Sequence, residues 1–104
     1  MRTNTQQVYK LVPTESAFID TAIQTANEIV NNRLADKLSE QTLQKIETFL
    51  SAHYLVQNPK VRQDLDIELN DADGLKSTNY GRRVLELDTT GTFDNNSNFA
   101  FFVT

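Results

Sequence analysis

A chain of 104 residues with 38% hydrophobic residues, 14 acidic and 10 basic side chains is one domain's worth of sequence, since cores divide only above about 250 residues. It has no cysteine, which excludes disulfides, thiolate chemistry and every zinc site that needs sulfur. Residues 1–60 carry six acidic and six basic groups and residues 61–104 carry eight and four, so the negative excess lies late in the chain, and no basic stripe is present to hold nucleic acid by its phosphates.

The opening residues M-R-T-N-T-Q-Q lack the apolar run of a signal peptide, and nowhere do apolar residues approach an 18-residue run. The expectation is a soluble chain that needs no oxidising compartment and no membrane. Residues 1–7 are polar and expected to be loose unless something ties them down. Val8 to Val12, V-Y-K-L-V, is rich in β-formers and stops at Pro13, which predicts a short strand or an extended arm. A first helix is expected over 14–32, capped by Thr14, with Glu15 at the positive end of its dipole. Phe18, Ile19, Ala22, Ile23, Ala26, Ile29 and Val30 hold the helical period on one face. The stretch R-L-A-D-K-L that follows is either a frayed helix end or a short turn, and a connection this brief predicts an antiparallel helix pair.

The second helix, 39–57, is the central one. Leu43, Ile46, Phe49, Leu50, Tyr54 and Leu55 form its stripe. Ser39 is placed to cap it, Leu38 and Leu43 to staple its entry, and Asn58-Pro59 to end it. From Ala52 to Val56 the apolar character runs all round, so this half should be enclosed while the first half keeps a wet face. After Pro59 the period changes: from Val61 to Leu69 apolar residues alternate with Arg62, Asp64, Asp66 and Glu68. That pattern predicts an acidic β-ribbon or extended loop over 61–74, closed by a turn in which Gly74 supplies positive φ. A third, shorter helix is expected over 78–90, with Thr78 as cap and Gly91 as stop, although Val84 to Leu87 would also suit a strand. The end, 92–104, reads as an extended arm whose Phe99, Phe101, Phe102 and Val103 need cover from this subunit or a neighbour. The resulting fold class is mainly α: an antiparallel helix pair with a third helix, an acidic ribbon, and extended arms at both ends.

Chemistry is sparse. His53 is the sole histidine, and its place on the enclosed half of the central helix predicts a core residue hydrogen-bonded to a neighbour. An EF-hand register on Gly74 would put Leu69 on the first ligand and Tyr80 on the last, and both fail. Gly74, Gly81 and Gly91 are too far apart to form a phosphate loop. Arg82 and Arg83, the one adjacent basic pair, suit a surface or interface contact. No catalytic, cofactor or metal site is expected.

Two stretches nevertheless carry a resemblance. Ala22 to Leu34 followed by Leu38 to Leu55, ending in Ala52-His53-Tyr54, resembles the helix pair of the small head-tail connector (adaptor) proteins of tailed bacteriophages. Gly74 to Gly91, G-L-K-S-T-N-Y-G-R-R-V-L-E-L-D-T-T-G, is similar to that family's Gly-Leu, Thr-x-Tyr-Gly and Leu-Asp-x-x-Gly pattern. Arg82 stands where the family more often has glutamine. The resemblance implies a virion structural protein, made in the bacterial cytoplasm and placed at the neck. It would form a ring of its own copies, dodecameric, between the portal protein and the neck or tail proteins, with DNA passing through unbound. Val8, Tyr9, Leu11, Tyr80, Arg82, Arg83, Phe99, Phe101, Phe102 and Val103 would then meet neighbours or partners. Asp64, Asp66, Glu68, Asp71 and Asp73 would face the channel, where like charge keeps phosphates moving. Two competing readings are a monomeric or dimeric interaction module or small regulator, and a small hydrolase or metal enzyme built on His53.

Overall fold

In a computed structural model of the chain, which describes residues 2–69 and 74–95, six α-helices and one 3₁₀ turn follow one another, with no strand among the described residues. The helices are α1 Thr5–Tyr9, α2 Ser16–Leu34, α3 Glu40–Gln57, α4 Pro59–Leu65, α5 Asn79–Leu87 and α6 Thr92–Asn95, with the 3₁₀ turn Gly74–Ser77 ahead of α5. The protein is therefore mainly α. Helices α2 and α3 form the pair: Ala26, Val30 and Leu34 share one cluster with Leu43, Ile46 and Leu50, and Ile19, Ala22 and Ile23 share another with Ala52, Leu55 and Val56. Rising numbers on one helix thus meet falling numbers on the other, so the two run antiparallel.

Local chemistry explains most of the boundaries. Ser39 accepts from the Thr42 amide and starts α3. Leu38 and Leu43 both lie against the first cluster, as a staple requires. On the enclosed half of α3, Ala52, His53, Leu55 and Val56 are buried, while Gln41 and Lys45 on its first half are exposed. Helix α2 starts two residues after Thr14: Glu15 is its N-cap and makes no side-chain cap bond. Helix α5 has Thr78 as cap, its hydroxyl accepting from the Gly81 amide. It stops at Leu87, short of the expected end, because Asp88 turns the chain. The Asp88 carboxylate accepts from the Thr90 amide and hydroxyl and, at 2.9 Å, from the Phe93 amide.

Three expectations are corrected. The arm expected at 8–12 is not extended. Asn4 and Gln7 form a capping box that starts α1, and Val8 and Val12 are fully buried against α2 and α3. Burial of both valines in the subunit's own core outweighs their β-propensity, which is a weak preference set by context. The ribbon expected from residue 61 is a helix as far as Leu65. Asn58, which ends α3, also caps α4 by accepting from the Lys60 amide, and Pro59 occupies the first helical position, where its missing N–H costs nothing. Asp66 closes α4 in the left-handed conformation (φ 55°), and residues 67–69 continue without regular structure. The arm expected from residue 92 begins instead as the short helix α6, with Phe93 buried in the first cluster, while residues 70–73 and 96–104 lie outside the described residues. Gly74 does have the positive φ expected of it (61°).

Gly81 is fixed by proximity. It lies at the start of α5, directly against the 3₁₀ turn, where a Cβ would sit 2.0 Å from the Leu75 carbonyl oxygen. Gly81→Ala gains about 1 kcal/mol of helix propensity but must push α5 off the backbone of Leu75, an overpacking cost of about 3 kcal/mol. The expected net result is a clear loss of stability, read as a lower midpoint in urea or thermal unfolding.

Candidate functional site

Two polar assemblies are built into α3. The first joins α3 to α5. His53 is buried (1% exposed) and its Nδ1 lies 2.8 Å from the Thr78 hydroxyl oxygen. That oxygen also accepts from the Gly81 amide at 2.8 Å, and with one donor and two acceptor sites the hydroxyl can serve both groups at once. Burial lowers the His53 pKa from 6.5 to about 4. One turn further along α3, Gln57 donates to the Ser77 hydroxyl at 3.1 Å, and Ser77 donates to the Gly74 carbonyl at 2.7 Å. Tyr80, the next motif residue, reaches 2.9 Å to the Leu11 carbonyl. Within the Gly-Leu, Thr-x-Tyr-Gly and Leu-Asp-x-x-Gly pattern, Thr78 caps α5, Gly81 permits close approach, Gly74 and Asp88 shape turns, and Leu75 and Leu87 pack in or against the core.

The second assembly was not foreseen. Glu47 of α3 has no exposed surface. Its carboxylate accepts from the Thr3 amide (3.2 Å), from Asn27 Nδ2 (3.1 Å) and from Arg2 Nη1 (3.4 Å). Arg2 Nη1 also donates to Asn31 Oδ1 (2.7 Å), and Asn31 Nδ2 to Asn27 Oδ1 (3.2 Å), which closes a ring of hydrogen bonds. Glu40 pairs with Arg2 Nε at 2.8 Å on the outside. The hydrogen bond Arg2 donates to Glu40, and after it the one to Glu47, together with the charges of both carboxylates, raise the pKa of Arg2. The Thr3 hydroxyl lies 3.0 Å from that of Thr48. This is what ties the polar opening residues down. A signal was present in the sequence: Glu47 is four residues after Leu43 and three before Leu50, inside the apolar stripe.

The expected interface and channel residues are scattered. Val8 is sealed in the core, and Leu11 is half-buried against it. Tyr9 is 53% exposed, the one exposed large hydrophobic residue among those described. Arg83 pairs with Glu86 at 2.9 Å and lies 6.0 Å from the Phe49 ring centroid. Arg82 is exposed and donates to the Lys76 carbonyl. Asp64, Asp66 and Glu68 are exposed, Asp64 within 3.6 Å of Lys60, while Asp71 and Asp73 lie outside the described residues. Glu68, Tyr80 and Arg82 are brought together on a groove of about 400 Å³ that Ile67 and Leu69 also line. Phe99, Phe101, Phe102 and Val103 lie outside the described residues as well. Among the described residues no His, Asp and Glu side chains cluster as metal ligands, and no helix is long and apolar enough to cross a membrane. Neither a family model, nor a curated protein, nor a solved structure matches the chain.

Two outcomes follow from the buried groups. Because the His53 pKa falls on folding, the unfolded chain takes up a proton below pH 6.5 that the folded chain refuses until about pH 4. Stability is therefore full above pH 6.5 and declines by about 3 kcal/mol as pH falls to 4. His53→Gln should lack this part of the slope, measured as the difference between urea midpoints of the two proteins at pH 7, 5 and 4. Among the described residues the Tyr54 hydroxyl is buried with no hydrogen-bond partner, and burial raises the pKa of the phenol. Tyr54→Phe removes that uncompensated group and should be neutral or stabilising by up to about 1 kcal/mol, visible as an unchanged or higher melting temperature.

Proposed function

We propose that the protein is a virion structural protein of a tailed bacteriophage, a head-tail connector that assembles as a ring between the portal and the neck or tail, with DNA passing through. The observation that carries this reading is the use to which the family-like residues are put. His53, Thr78, Tyr80, Gly81 and Asp88 bond backbone or one another, or let α5 lie against the turn before it. A scaffold that must present fixed surfaces to several neighbours needs such a joint. An enzyme built on His53 would need the imidazole to face substrate, whereas it is enclosed and bonded to a helix cap. The exposed carboxylates of Asp64, Asp66 and Glu68 suit a surface that DNA slides past, because like charge prevents phosphate from lodging there.

One finding favours the alternative of a monomeric or dimeric interaction module: the segment from Val8 to Val12, assigned to a neighbour in the ring reading, is packed on its own subunit. Native mass spectrometry and negative-stain imaging of the chain, alone and with the portal protein of the same phage, separate the two. The connector reading expects a closed ring, dodecameric, in at least the second sample. A chain that stays monomeric or dimeric in both belongs to the interaction-module class.

A further inference from the structure

The segment from Arg2 to Val12 forms a strap over the helix pair. Its covalent tie is short: Pro13, Thr14 and Glu15 connect it to α2, outside any helix, and α2 begins without a side-chain cap. What holds it otherwise is a polar latch and two apolar plugs. The latch is Glu47 with Asn27 and Asn31, engaged by Arg2 and Thr3, reinforced where Thr5 donates to Asp20 at 2.9 Å. The plugs are Val8 and Val12, seated in the cluster of Ile19, Ala22, Ile23 and Ala52.

Glu47 makes the seat incomplete by itself. Two of its three donors, the Arg2 guanidinium and the Thr3 amide, come from the strap, and only Asn27 belongs to the helix pair. Without a strap the Glu47 carboxylate would be uncovered, keeping one neutral protein donor, Asn27, with water in place of the guanidinium and the amide. The seat thus demands a segment bearing a guanidinium, a free amide on the next residue and a valine five residues later. Residues 2–8 meet that demand, and every other copy of the chain carries the same residues. Exchange of straps between two copies preserves each of these contacts and alters only the hinge. Pro13 favours an extended path there, because it restricts both itself and Val12. Tyr9, exposed on the outer side of α1, is the apolar surface that a crossing of two straps would cover.

We propose that the Glu47 seat takes the N-terminal strap of a second copy in place of its own, so that copies are joined by strap exchange through the 13–15 hinge. This holds under either reading of function above, since it concerns the chain alone, and its failure would leave a ring held by other contacts possible. The absence of cysteine makes the test direct, because the Thr3 and Thr48 hydroxyls lie 3.0 Å apart. The Thr3→Cys/Thr48→Cys double variant is the control: a disulfide between positions 3 and 48, within a chain or between two, shows that the substituted protein folds with the seat filled. Full-length Thr3→Cys and Thr48→Cys single variants are then mixed and oxidised. Exchange predicts a disulfide-linked heterodimer in excess of either homodimer, formed several-fold faster when both chains also carry Glu47→Gln, which loosens the latch. No excess heterodimer in either background, with the double variant closing within a chain, overturns the proposal. Should the cysteine variants not fold, the unsubstituted chain decides it: in a mixture of ¹³C-labelled and unlabelled protein, isotope-filtered NOEs from Val8 or Val12 methyls to Ile19 or Ile23 of another copy support exchange. NOEs confined to one chain overturn it.

Discussion

Most of helix α3 is enclosed, and a carboxylate or imidazole on its buried positions needs partners inside the protein. Two side chains bear that constraint. Glu47 and His53 stand six residues apart, about 120° around the helix, and so face different neighbours. Glu47 gathers the N-terminal strap and α2, and His53 gathers the cap of α5. The apolar stripe provides the bulk of the burial without direction; these two groups decide which elements lie where, because a misplaced strap or helix would leave a buried carboxylate or imidazole unpaired.

The two assemblies differ in how permanently they are made. The joint between α3 and α5 is reinforced at several points: the Thr78 hydroxyl serves both His53 and the Gly81 amide, Gln57 reaches Ser77, and the Leu75 backbone lies so close to Gly81 that no side chain fits. Its members are all buried or half-buried. The latch around Glu47 is open to solvent at its outer rim, where Arg2, Asn31 and Glu40 meet. Surface members of such a network contribute little each, so its strength rests on the buried end. The protein therefore combines a closely bonded corner with a segment held by a short covalent tie, one buried charge and two buried valines.

The acidic stretch after α3 shows how one pattern serves two structures. From Val61 to Leu69 the alternation of apolar and charged residues satisfies a strand, yet the first five of them complete a helix. Asn58 and Pro59 decide between the two: an Asn whose side chain caps the next amide and a proline at the first helical position start a helix as efficiently as they end one. Reading Pro59 only as a stop left out half of its chemistry. The exposed Asp64, Asp66 and Glu68 are common to both readings, since a wet helix face and a wet strand face are equally charged.

What the sequence determined alone was whatever depends on near neighbours in the chain. The helical stripes of α2 and α3, the Ser39 and Thr78 caps, the enclosure of Ala52 to Val56, the burial of His53 and the mainly α class were all legible, because they follow from period and capping chemistry over a few residues. Tertiary structure alone decided the fate of the first twelve residues and the meaning of Glu47. Asn4 and Gln7 spell a capping box that is too short to hold a helix in isolation, and Val8 and Val12 favour a strand until a core is offered to them. The place of Glu47 inside the apolar stripe hints at burial, but its partners Arg2, Thr3 and Asn27, up to 45 residues distant, are set only by the tertiary structure. Propensity is a local free energy of tenths of a kcal/mol per residue, and burial of two valines is several times larger; contacts between distant residues therefore overrule it where the two conflict at residues 8–12.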